Sequence, residues 1–538
     1  MAAPAAATAS AAGSPSAAGS PPVAGSPPAG SPGSPGVGDP FFPFGGNGGY
    51  DVRHYRLDLT WQPESKVLTG SETVLATATQ ALSSFDLDLR GFTVEGVRVN
   101  GAPATFTRPA QDNTEPAQEL TITPERPLRQ HVPFVVQIQY AGTPEVVTDP
   151  DDAIEGWVPT DDGAFVVGEP QGAPGWFAAN DTPTDKATYD VQLTVPDGLT
   201  AVGNGALLSQ RSKNGRTTFH WFERYPMASY LATITFGKFE VRRGRTPGGI
   251  PTYVAVDPNQ DVAWTVLAKL PEIVDYFSGL YGRYPFETVG AIVDNAPDVG
   301  YALETQTKPV FDSAPDEPTL AHEIAHQWFG DAVTLTQWPD IWLHEGFATL
   351  SEWLWSEHTG LQSAHGEFTA LLARPATDRL WNPPPANPGD PAKLFGSPVY
   401  NRGAMTLQAL REKIGDDKFF TILRTWYRDH RYGNVTTADF IALSEKVSGA
   451  DLDAFSPPGS APRASPPPGS GRPNGADQRR RRRRTSRLWD WSDASQPVEP
   501  RESGSAVRPH APGAVDRAAM SVLSAADRAD PDDARRLP

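Results

Sequence analysis

HEIAHQWFGDAV, residues 322–333, and WLHEGFATLSEW, residues 342–353, are the stretches on which the reading of this chain turns. In the first, His322 and His326 stand four residues apart, a spacing that on a helix puts both imidazoles on one face about one turn apart. They can therefore converge on a single cation, with Glu323 beside them as a general base. A catalytic zinc takes three protein ligands and keeps one position open. Glu345, nineteen residues after His326 on the next amphipathic helix, completes such a set. Glu352 follows seven positions later, returns to nearly the same face, and can accept a hydrogen bond from the free N–H of a ligating histidine. The alternative, two core histidines and two acids on a solvated face, requires several independent spacings to coincide.

Working outward, Asp316 is expected to cap a helix that runs through Phe329 and stops near Gly330. Asp340 is expected to cap a second, running to about Glu357 and stopping near Gly360. Helical spacing begins near Asp261, with Val262, Val266, Leu267, Leu270, Ile273, Val274 and Phe277, and places a mainly α domain at residues 257–455. Before it, residues 46–256 alternate with the period of strands, as in Tyr55, Leu57, Leu59 and Trp61. Turn signals at Asn100-Gly101, Asn204-Gly205 and Asn214-Gly215 make a largely antiparallel β domain the economical arrangement. Residues 1–45 are nearly all Ala, Ser, Gly and Pro, and residues 456–538 are rich in Pro, Gly, Ser and Arg, with an arginine run from Arg479 to Arg484. Neither end has the bulky apolar content that offsets chain entropy, and both are expected to be disordered.

The chain of 538 residues has a formal net charge of -18 and no cysteine. The charge argues against nonspecific nucleic-acid binding as its main role, and the arginine run reads as readily as a solvated tail. The missing thiols exclude disulfides, thiolate metal sites and cysteine nucleophiles, so a metal must be held by imidazole and carboxylate. No run of eighteen apolar residues appears, so no transmembrane helix is expected. Met1 to Gly19 lacks the basic start and apolar core of a secretory signal. The Ala/Ser/Pro/Gly leader fits an exported protein as well as a cytoplasmic one.

These two stretches resemble the gluzincin aminopeptidases of peptidase family M1, the aminopeptidase N and leukotriene-hydrolase group, whose pattern is HExxH, eighteen intervening residues, then Glu. The resemblance spans about Tyr50 to Phe455 and includes Pro226-Met227-Ala228-Ser229-Tyr230-Leu231, similar to a family segment near the end of the β domain. It implies a multidomain α+β fold: an N-terminal antiparallel β-sandwich or saddle, then a mainly α, thermolysin-like catalytic domain. It also implies one zinc ion per chain on His322, His326 and Glu345, with Glu352 behind them. Tyr301-Ala302-Leu303-Glu304-Thr305 is similar to the family's Gly-Ala-Met-Glu-Asn strand, which gives Glu304 the substrate's α-ammonium group; Tyr301 and Thr305 depart from that pattern. Glu169, in Val167-Gly168-Glu169-Pro170, resembles a second anchor that in the family is often glutamine, although Pro174 replaces the arginine that follows it there. Val399-Tyr400-Asn401-Arg402-Gly403 is similar to the family's tyrosine motif and makes Tyr400 the oxyanion donor.

The resemblance therefore implies an aminopeptidase acting on peptides with a free N-terminus, with Glu323 as base. An epoxide hydrolase or a zinc endopeptidase on the same scaffold, or a catalytically impaired binding protein, are the competing readings. Larger family members add a helical domain that covers the active site, and nothing after Phe455 has the composition of one, so a more open cleft is expected.

Overall fold

A computed structural model describes residues 30–108 and 119–452 of the chain. Strand Tyr50–Gln62 turns Val52, Tyr55, Leu57, Leu59 and Trp61 inward and pairs antiparallel with Val67–Ala78. Around this pair an eight-stranded sheet runs in the order Ala206–Lys213, Arg216–Met227, Ala187–Pro196, Tyr50–Gln62, Val67–Ala78, Pro133–Gly142, Thr93–Val99, Ala102–Pro103. Its neighbours are antiparallel except where Ala187–Pro196 runs parallel to Tyr50–Gln62. A five-stranded antiparallel sheet contains Ile154–Pro159 and Ile234–Gly237. The two sheets meet where Trp61 packs 5.6 Å from Trp157 and 5.8 Å from Phe236, centroid to centroid. Such faces bury large aromatic areas, and that burial is what drives strands so short to layer. Asn100 and Gly101 both take positive φ, as do Asn214 and Gly215, which is the backbone a tight two-residue hairpin needs. At Asn204-Gly205 only the glycine does; the Asn204 amide donates instead to the carbonyls of Leu231 and Gln306.

Eight helices follow among the described residues: α1 (Ala263–Leu267), α2 (Leu270–Tyr281), α3 (Glu317–His326), α4 (Trp342–Thr359), α5 (Ala364–Leu372), α6 (Gly403–Ile414), α7 (Asp416–His430) and α8 (Thr437–Ser448). The antiparallel β layers followed by a mainly helical part agree with the expected α+β fold. Asp316 caps α3 by accepting from the Thr319 amide at 2.8 Å, and α4 ends where Gly360 turns left-handed. Gly346 of α4 and Gly403 at the start of α6 meet so closely that a Cβ on either would lie 2.9 Å from the other's backbone. Glycine at both positions is what lets the two helices touch at a point one residue beyond Glu345.

Four sequence expectations change. Residues 30–45 fall in the segment expected to be disordered, yet Ser31–Pro32 pairs in parallel with Leu82–Asp88, and Phe42 is only 2% exposed. Composition hid this because two residues, Asp39 and Phe42, do the anchoring. The Asp39 carboxylate accepts from the Trp338 amide at 2.8 Å, and Phe42 sits edge-on to the Trp338 ring at 6.0 Å. The division placed after Val256 falls inside a sheet, since Pro251–Val256 runs parallel to Val289–Val293 and pairs with Glu240–Arg245 on its other side. Asp340 does not cap α4; a short turn, Trp338–Asp340, precedes that helix, and the Asp340 carboxylate accepts from Thr437 at the start of α8. Finally, the helical run from Val262 splits between α1 and α2, leaving Val262 68% exposed. The remainder of the leader and the arginine-rich tail lie outside the described residues.

The anchoring role of Phe42 predicts that Phe42→Ala lowers unfolding free energy by about 3–5 kcal/mol, the usual cost of emptying a phenylalanine site. Denaturant titration checks this, and a change below about 0.5 kcal/mol would show the segment to be unattached.

Candidate metal centre and amine pocket

Helix α3 presents His322 and His326 with ring centroids 4.7 Å apart, and α4 brings Glu345 to them in its first turn. Glu345 Oε2 lies 3.1 Å from His322 Nε2 and 3.6 Å from His326 Nε2, and all three residues are buried. Zinc–ligand bonds of about 2.0–2.1 Å in a tetrahedron separate the ligand atoms by roughly 3.3 Å, so this spacing suits one ion. The distal nitrogens are tied off. His322 Nδ1 meets Glu352 Oε1 at 2.5 Å, and His326 Nδ1 donates to the Phe329 carbonyl at 3.1 Å. With Nδ1 so engaged, it is Nε2 of each ring that faces Glu345 and would carry a lone pair to a bound cation. The second contact depends on Gly330, whose φ of +148° bends the chain back over His326; a Cβ there would stand 3.1 Å from Nδ1.

Around these ligands the structure gathers carboxylates. Glu304 follows strand Ala302–Leu303; its carbonyl accepts from Gln327 and its Oε1 comes within 3.9 Å of His326 Nδ1. Glu169, past the end of Ala164–Val167, is buried against the same space, and Glu304, Glu345 and Glu323 are among the charges acting on it. Oε1 of Glu169 and Oε1 of Glu304 are each buried without a hydrogen-bond partner. Tyr400 lies in a wide turn, Pro398–Arg402, that runs straight into α6, with its ring 5.9 Å from and nearly parallel to that of His322.

Burial of so many like charges shows in their titration. Burial pushes Glu323 up to about 8, with His322 and His326 pulling it back and Glu304 and Glu345 adding to the rise. For His326 burial acts downward but is outweighed by Glu304 and Glu345, which hold it at about 9. Against its own burial, Glu345 is held well below the carboxylate range by His326 and His322. Burial, reinforced by Glu345, Glu169, Glu304 and Glu323, raises the Tyr400 phenol, which stays protonated. Four carboxylates that share one pocket with two imidazoles are neutralised either by bound protons or by a cation that displaces them. A divalent cation at Glu345 and an ammonium at Glu304 and Glu169 would supply it, so the donor set fits zinc.

Three residues at this site were not singled out from sequence. His344, next to Glu345, is fully buried and accepts from the Leu335 amide through Nε2 at 2.9 Å. The Tyr230 hydroxyl is buried without a partner, with Glu304 and Glu169 the nearest charges raising it after burial itself. Asp331 is likewise buried, while Lys186 from the β part donates to its backbone carbonyl at 3.0 Å. His344 lies inside the quoted motif, where its place beside a ligand was the available signal. Tyr230 and Asp331 carried none beyond sitting in matched segments. A separate cleft of about 630 Å3, lined in part by Arg283, Arg424, Arg428 and Arg431, contains none of these residues.

Comparison with known proteins agrees with this geometry. The Peptidase M1 N-terminal domain model matches residues 52–231, and the Peptidase family M1 domain model matches residues 302–457. Glutamyl aminopeptidase of Bos taurus is 29% identical over 311 residues, covering 52% of this chain and 32% of its own length. This chain thus spans about a third of that curated relative. Solved structures match more completely. An M1 zinc metallopeptidase from Deinococcus radiodurans is 30% identical with a TM-score of 0.71, covering 81% of this chain and 100% of the other. A mutant M1 zinc metallopeptidase from the same organism, bound to a Tyr-Ser-Ala substrate, is 30% identical with a TM-score of 0.69, covering 78% and 96%. With both domain models in chain order, solved relatives matched almost end to end, and a His322–His326–Glu345 cluster where α3 meets α4, this chain belongs to peptidase family M1.

Proposed function

We propose that the chain is a zinc aminopeptidase that removes single residues from peptides with a free N-terminus. The observation that carries this reading is the pair of buried carboxylate oxygens, one on Glu304 and one on Glu169, that have no hydrogen-bond donor beside His322, His326 and Glu345. An endopeptidase has no use for two such charges next to its scissile bond, whereas an α-ammonium group satisfies both. His322 Nε2, His326 Nε2 and the Glu345 carboxylate would hold one zinc ion per chain, with Glu352 and the Phe329 carbonyl fixing the two imidazoles. When bound, the ion supplies Lewis-acid polarisation of the scissile carbonyl and of water.

The side chains then divide the work. Glu304 and Glu169 hold the ammonium and so place the first peptide bond, and no later one, at the reaction centre. Glu323 takes the proton of the attacking water and passes it to the leaving amine. Tyr400 donates its phenolic proton in a hydrogen bond to the oxygen on which negative charge develops; burial, and then the carboxylates nearby, keep that phenol from ionising.

Hydrolysis of aminoacyl fluorogenic substrates by purified protein tests the reading, with a chelator abolishing activity, zinc restoring it and acetylated substrates remaining uncut. Equal cleavage of acetylated substrates would favour an endopeptidase, and turnover that survives complete metal removal would sink the zinc assignment. Glu323→Gln is expected to keep its zinc and lose about a hundred- to ten-thousand-fold in kcat. Tyr400→Phe should lose about a hundred- to thousand-fold in kcat with little change in KM. Glu352→Gln should weaken zinc about 10- to 100-fold in competition with a chelator, because the His322 ring loses its orienting carboxylate. Unchanged zinc affinity there would mean that the 2.5 Å contact has no bearing on the metal.

A further inference from the structure

His344 sits between a backbone amide and the amine pocket, and its two ring nitrogens serve different masters. The Leu335 N–H donates to Nε2 at 2.9 Å, so Nε2 carries no proton. A neutral imidazole has one N–H, which must then be on Nδ1. Protonation of both nitrogens would set two N–H groups against each other inside a fully buried site. The Nδ1 atom is buried and has no hydrogen-bond partner.

A ring nitrogen of His344 and one carboxylate oxygen each from Glu169 and Glu304 lie within 4.8 Å of one another. Two acids and an imidazole at that spacing invite assignment as a second metal site. The tautomer argues against it: Nδ1–H has no lone pair to offer a cation, whether a metal ion or an ammonium. What it offers is a proton, and the acceptors grouped with it, within 4.8 Å, are the two carboxylates, each with an Oε1 that has no hydrogen-bond donor.

We propose that His344 is a positioning residue for substrate selection, a neutral donor whose Nδ1–H hydrogen-bonds a carboxylate of the Glu304–Glu169 pair and keeps it aimed at the substrate's ammonium. The proposal rests on the aminopeptidase reading above. Neutrality matters, because a lysine or arginine in the same place would compete with the ammonium for both acids. A donor without charge satisfies one oxygen lone pair and leaves the rest to the substrate. Catalytic hydrogen bonds of this kind are often long before the substrate arrives and tighten in the complex.

Two variants separate this role from simple support of the Leu335 loop. Asparagine places its amide near the Nδ1 position but does not reach Leu335, whereas glutamine reaches toward Nε2 and leaves the pocket without its donor. Binding of L-alaninamide to zinc-loaded protein, measured by titration calorimetry, is compared across wild type, His344→Asn and His344→Gln, with N-acetyl-L-alaninamide as control. Zinc content and melting temperature are recorded for each. His344→Gln is expected to bind about tenfold or more weakly and His344→Asn within about threefold of wild type, a hydrogen bond to a charged group being at stake. KM for aminoacyl substrates should follow the same order, with kcat within about threefold. The reverse order, or equal behaviour of the two variants, overturns the proposal in favour of loop support. If wild type itself fails to prefer L-alaninamide over the acetylated control, the aminopeptidase reading fails first and this one with it.

Discussion

The crossing of α3 and α4 is the constraint on which the rest of the molecule depends. It forces two imidazoles and a carboxylate into one buried volume, an arrangement that costs free energy unless a cation lies among them. The surroundings hold the crossing in place. Phe329, just past α3, packs 4.8 Å from Phe347 of α4, and Tyr281 of α2 reaches across to donate or accept at Ser351 of α4 at 2.7 Å. The Gly346–Gly403 contact then seats α6 against α4, which brings the Tyr400 turn over His322. One helix pair thus sets the positions of His322, His326, Glu345, Glu323 and Tyr400 together.

The β part does more than flank this centre. It brings Glu169 and Tyr230 close to Glu304 and sends Lys186 into the turn after α3, where its ammonium donates to the carbonyls of Asp331 and Gly433. Tyr301, one residue before the Ala302–Leu303 strand, donates to the Ile154 carbonyl at 2.9 Å and so ties the Glu304 strand to the five-stranded sheet. In the proposed function, substrate selection is therefore built at the seam between the two parts, while bond cleavage falls to residues of the helices and the turn that enters α6. The segment around Phe42 extends the seam: it grips Trp338 in the turn that launches α4, only a few residues ahead of Glu345.

What the sequence made legible follows from what a periodic pattern can encode. Spacings of four and seven residues paired His322 with His326 and Glu345 with Glu352 because helices convert sequence distance into direction; Glu345, across a loop from α3, was reached through zinc's need for a third ligand and the family pattern. Strand alternation from Tyr50 and the Asn-Gly turns were legible for the same local reason. The failures were all tertiary. Asp340 has the chemistry of a cap but is drawn to Thr437 on a distant helix. The leader reads as structureless because Asp39 and Phe42 are too few to shift its composition. A parallel strand pair closing over residues 257–288, as between Pro251–Val256 and Val289–Val293, leaves no trace in either strand. His344 was passed over because its role depends on which nitrogen a remote backbone amide occupies.

Diffraction from crystals of the zinc-loaded protein, recorded on both sides of the zinc absorption edge, bears most directly on the central claim. The account predicts a single strong anomalous peak per chain, within bonding distance of His322 Nε2, His326 Nε2 and a Glu345 oxygen. A peak seated between Glu169 and Glu304, or none in protein that is otherwise well ordered, would contradict it.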